Sequence, residues 1–268
     1  MRAFLVAALV LTPSLLMLSS GSQTEYLIVV VAIIASSMTF IEYYGRSPSI
    51  IEFRFAPPYN RLKFAGLFAT LVSVSLISNA HLTRTDLALA PVLTQLGNIV
   101  DFPYSPVRLM VLMLPRDASG MFVETVRTAA GIAYLMSLVM IAVFVICVHW
   151  LDWPRRSGAF NVWMNLPMFD PTGGGDVLMR LKRDAGLNIV LGALLPFIIP
   201  AAVKAASDLI DPISIQDPQN LIWMVSAWAF LPASMLMRGI AMSRIADMIE
   251  EKRRRAYAAA QIGELQNV

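Results

Sequence analysis

Asp170, Asp176 and Asp184 are the residues best placed for catalysis, because they sit on one polar connection of a chain that is otherwise strongly apolar. A transferase acting on phospholipid-type substrates gathers acidic residues to hold its metal. Here they are scattered, and nothing in the sequence fixes them in one site. The run Gly173-Gly174-Gly175 ahead of a helix has the look of a phosphate cradle, which works through backbone amides at a helix start. No Gly-Lys-Ser/Thr follows it, and Asp176 places a negative charge where the phosphate would sit, so it reads as a turn. The two histidines, His81 and His149, fall at opposite ends of the expected bundle and cannot flank one haem iron within the chain. A single histidine could still ligate a pigment or metal shared with another subunit, but an interfacial histidine beside Trp150 and Trp153 is the plainer reading. Cys147 is the sole cysteine, with neither a base nor a disulfide partner. HExxH, GxSxG and CxxC are absent.

The elements that would have to position such residues are membrane helices. The chain has 57% hydrophobic and 15% charged residues and a mean hydropathy of +0.65. That is too few charges for an aqueous surface, where about 25% is usual. Its apolar residues form blocks near 3–19, 26–44, 64–80, 126–150, 187–206 and 221–240, each of about the length that crosses hydrocarbon. Helices answer the demand that every backbone group be paired inside lipid. The first block has the flanks of a secretory leader, Arg2 before it and Ser19, Ser20 and Gly21 after it. As a retained stretch it begins a helical hairpin turned by Gly21–Glu25.

Charge sets the expected orientation. Arg46, Arg54, Arg61 and Lys63 follow the second block; Arg155, Arg156, Arg180, Lys182 and Arg183 follow the fourth; a basic run follows the sixth. The alternate connections are mainly acidic. Every second connection is therefore basic, which predicts six spans with both termini in the cytoplasm and a multi-pass protein of the cell inner membrane. We expect one all-α transmembrane domain over 1–240, interfacial amphipathic segments, and a basic helical tail over 241–268 that continues the sixth span.

Three connections are too apolar to be plain links. The inner strap carries Ile51, Phe53 and Phe55 in alternation before Pro57-Pro58, and reads as an interfacial or docking strip. The outer connection holds helical stretches at 87–100 and 107–114, too short to cross. In the second inner connection Asp176 caps a helix with Arg180, Lys182 and Arg183 on its polar side. Arg253, Arg254 and Arg255 in the tail suit anionic headgroups or a partner protein. Ala65, Ala69 and Ser73 form a small-residue face suited to a neighbouring helix. Pro196 and Pro200 should kink the fifth span.

Ionisable residues are missing from mid-membrane depth, where an ion-coupled transporter or membrane enzyme keeps them. Glu42, Glu124, Arg127, Lys204 and Asp208 all lie near helix ends as interfacial anchors. The expectation is a non-catalytic accessory, scaffold or assembly subunit of a larger membrane complex, with an energy-transducing, respiratory or photosynthetic complex as the natural setting. Its partners would be membrane lipids and other integral subunits, not nucleic acid. No enzymatic activity and no metal or cofactor of its own are expected, a lipid or a partner-shared pigment being the one ligand class left open. The alternative is a transporter or channel for an apolar or lipid-like solute.

Overall fold

The computed structural model describes residues 1–17, 23–83, 90–154, 161–169, 174–206 and 217–266. Among them every regular element is a helix. In order these are α1 (Arg2–Met17), α2 (Gln23–Tyr44), α3 (Tyr59–Thr83), α4 (Ala90–Ile99), α5 (Pro106–Leu112), α6 (Gly120–His149), α7 (Val162–Asn165), α8 (Val177–Ala206) and α9 (Pro218–Gln266). Five of them, α2, α3, α6, α8 and α9, are long and apolar enough to cross a membrane. The first apolar block gives α1, which has 16 residues where a span needs about 20.

Helices α3, α6 and α9 form the centre, with the α1–α2 hairpin beside α3 and α8 along α9. Glycines set the closest approaches. A Cβ on Gly66 of α3 would lie 2.6 Å from Met140 Sδ of α6, and one on Gly192 of α8 would lie 2.7 Å from the Pro232 carbonyl of α9. Between lipid-embedded helices, such close van der Waals packing takes the place of hydrophobic drive.

Proline explains another joint. Pro200 has no N–H, so the carbonyl of Pro196 one turn earlier loses its helical donor. The Trp228 indole N–H of α9 donates to that carbonyl at 3.0 Å. Helix α8 runs unbroken through both prolines, and it extends ten residues earlier than the apolar block at 187–206, because Asp176 accepts from the Leu178 N–H and starts the helix there.

Tyr134 of α6 stacks on Trp228 of α9 at 6.0 Å. These helices run in the same direction, while α3 and α8 run against them. Arg2 of α1 covers the Tyr43 ring at the end of α2, and Arg54 covers it too. The start of the chain and the projecting half of α9 therefore share one end of the bundle, the end carrying the strap between α2 and α3. We call it the strap end, and the opposite one the far end.

Candidate functional site

The strap is locked to the helices by side chains at its own ends. Glu42, in the last turn of α2, accepts from the N–H groups of Ser49, Ile50 and Ile51 at 2.7, 2.9 and 2.9 Å and from the Ser49 hydroxyl at 2.7 Å. Arg54 returns to the same helix end. Its guanidinium donates to the carbonyls of Glu42, Tyr43 and Gly45, groups a helix C-terminus leaves without partners. Glu52 then forms a bidentate pair with Arg238 of α9 at 2.6 and 2.8 Å. Three charged residues of one short segment thus hold α2, the strap and α9 in register.

Behind this lock lies an aromatic core. Phe53 is 1% exposed and sits at φ +54°, a region a side chain adopts only when its surroundings fix it. Its ring packs on Tyr59 at 4.4 Å and on Trp153 at 5.7 Å, and Phe144 meets Trp153 at 5.2 Å. The backbone is held as well: Phe53 N–H donates to the Asn165 carbonyl at 2.6 Å, and Trp153 Nε1 donates to the Ala56 carbonyl at 3.2 Å. Short helix α7 thereby supplies Asn165, whose Oδ1 also accepts from Phe55 N–H at 3.1 Å. Arg244 of α9 completes the layer through Asp152.

Of the strap residues picked out by pattern, Phe53 is consumed by this core, Ile51 is half-buried and Phe55 remains exposed. Ala65 is exposed, and Ala69 and Ser73 are half-buried. The alternation that singled out Ile51, Phe53 and Phe55 gives no hint that Asn165, more than a hundred positions later, fixes the middle of the strap. Glycines inside apolar segments were the available sign of the crossing points at Gly66, Gly97, Gly131, Gly192 and Gly239, which residue pattern alone did not single out.

Beyond the Arg244 layer, α8 and α9 continue together. Lys182 pairs with Glu250, and Arg253 pairs with Asp176 at 2.9 Å. The Leu178 N–H and the Arg253 guanidinium hold the Asp176 carboxyl below its ordinary range. Arg180 donates to the Gly174 carbonyl and lies over the Phe169 ring, and Arg183 contacts Asp184 at 3.6 Å. Arg255 pairs with Glu251 within α9, and from Lys252 to Ile262 every residue is exposed. Asp176 and Asp184 are thus each engaged by an arginine rather than by one another, and Asp170 lies outside the described residues. Among those residues no group of three or more His, Cys, Asp or Glu could hold a metal ion. Asp208, expected with Lys204 as an interfacial anchor, also falls outside them, as do Arg155 and Arg156.

At the far end, α4 packs on α6 backbone to backbone. A Cβ on Gly131 would lie 2.5 Å from the Gly97 Cα. Asp101, just after α4, is flanked by Arg108 of α5 and Arg127 of α6, each with its Nε 2.9 Å from a carboxylate oxygen. Arg127 stood out in the sequence as an anchor, but its partner did not.

The chain matches no known protein family, no curated protein and no solved structure. What it does must be read from its own geometry.

Proposed function

We propose that this chain is a non-catalytic scaffold or assembly subunit of a larger membrane complex, crossing the membrane six times with both termini on the cytoplasmic side. The observation that carries the reading is the length of α9. It has 49 residues, roughly 73 Å of helix, where about 30 Å suffices to cross hydrocarbon. Past the Arg253 contact with Asp176, its side chains are exposed on every face as far as Ile262. An isolated helix of that size is marginal in water, so a partner surface is the natural reason to keep one. The strap-end charges support the same reading, because Glu42, Arg54, Glu52, Arg238 and Arg244 act as internal struts. The six-span count joins α1 to the five longer helices, and the abundance of Lys and Arg at the strap end makes that end cytoplasmic.

The test is extraction in mild detergent, native-gel separation and mass spectrometry, comparing the full chain with a variant ending at Glu251. Stoichiometric co-migration of other integral proteins with the full chain, lost on truncation, supports the proposal. Migration of the full chain alone refutes it and makes solute flux in liposomes the next measurement.

A further inference from the structure

Among the described residues, the charges around Asp101 do not close as those at the strap end do. Asp101, with a side chain 5% exposed, is shared by two arginines whose side chains remain 37% and 30% exposed. One carboxylate balances one guanidinium, so this trio carries an excess positive charge. Arg127 Nε is close to Asp101 Oδ2 yet lacks the alignment of a hydrogen bond. That Nε is itself buried, so a further anion would be met by the terminal amino groups of its partly exposed side chain.

The depth of the trio matters. At the helical rise, Arg127 lies roughly 34 Å along α6 from Trp150, the exposed tryptophan that caps the helix at the strap end. The hydrocarbon core of a bilayer is about 30 Å thick, and tryptophans settle at its edge. Arg127 and Arg108 consequently lie at the headgroup level of the leaflet at the far end. Next to them, α4 presses Gly97 on the Arg127 and Thr128 backbone while leaving Val92, Leu96 and Ile99 exposed. An apolar ledge thus adjoins a cationic pair at the depth where acyl chain meets phosphate.

We propose that Arg108 and Arg127, spaced by Asp101, bind the phosphate of an anionic phospholipid in that leaflet, with its acyl chain along Val92, Leu96 and Ile99. Guanidinium forks match phosphate oxygens in planar, two-point hydrogen bonds. Asp101, between the two guanidiniums, offsets one of their two charges and competes with the phosphate for their donors.

The experiment is native mass spectrometry of the full-length protein, stripped of lipid in detergent and titrated with phosphatidylglycerol, with phosphatidylcholine, or with phosphatidylglycerol plus inorganic phosphate. Preferential retention of phosphatidylglycerol is expected, reduced about tenfold by Arg127→Gln, the factor of one charge-assisted contact. Arg127→Gln also disturbs the Asp101 pair, so Asp101→Asn supplies the second arm. It leaves both guanidiniums and removes the competing carboxylate, so retention should be kept or strengthened. Equal retention of the two lipids by the wild type overturns the proposal. So does loss of phosphatidylglycerol from a folded Asp101→Asn protein, which would make the trio merely structural. Displacement of the lipid by millimolar inorganic phosphate would assign the arginines to a free anion instead.

Discussion

Gly192→Ala offers a measurement of the α8–α9 joint with its control built into the same helix. The added methyl would lie 2.7 Å from the Pro232 carbonyl, 2.8 Å from Leu236 N and 2.7 Å from Leu236 Cγ. Two of these are backbone atoms and cannot swing aside, so the helices must part. Overpacking of this kind costs about 1–3 kcal/mol. Gly186, on the same helix, has nothing within 4 Å of where a methyl would sit, so Gly186→Ala carries only the propensity change, a gain of up to about 1 kcal/mol. The difference between the variants isolates the packing cost. Taking the unfolding entropy of chains of this size, it corresponds to a melting point roughly 2–5 °C lower for Gly192→Ala than for Gly186→Ala. Cys147 provides the assay, because it is the only cysteine and is buried. A thiol-reactive fluorophore in detergent reports its exposure on heating. Equal melting points for the two variants would refute the backbone contact between α8 and α9.

Two further outcomes follow from the charged struts. Glu52→Ala leaves Arg238 facing a half-buried gap, and because Arg238 keeps a quarter of its side chain exposed, the cost is at the low end for a broken buried pair, about 2–3 kcal/mol by the same thermal assay. The double change Glu52→Met with Arg238→Met should lie nearer the wild type than Glu52→Ala does; a further loss would mean the pair gains more from its charge than from its packing. Asp176 gives a pH dependence. Its folded-state pKa is depressed, so the Arg253 contact contributes above the ordinary carboxylate range and fades as pH falls through the folded value. The protection factors of the amides at residues 250–256, exchange rates corrected for their intrinsic pH dependence, should therefore fall in acid, whereas Asp176→Asn should show the lowered protection already at neutral pH; identical protection profiles for the two proteins would remove Asp176 from the joint.

The helical class, and the helices formed by the later apolar blocks, were legible because lipid imposes composition on any segment that crosses it. Helix α9 continues past the last apolar block, where Ile245, Met248 and Ile249 extend the helical stripe. The strap was only half legible. Its alternating apolar residues were visible, but which of them enters the core depends on Trp153 and Asn165, distant residues that donate to and accept from its backbone. The Asp101 trio was hidden for the same reason, since three helical elements must meet before two arginines share a carboxylate. Local pattern carries the solvent a segment faces, not the partner it meets.

The unbroken passage of α9 from the bundle to Gln266 has a mechanical side. From Ile240 onward it extends roughly 39 Å, and without a break there is no hinge to absorb rotation. A tilt of about 10° among the membrane helices would sweep the tip through roughly 7 Å, a distance comparable to one helical turn. Pro232 lies inside the bundle, near the fulcrum, where a small change in bend has the largest effect on the free end. The tail is a lever arm whose tip responds to the packing of helices roughly 39 Å away.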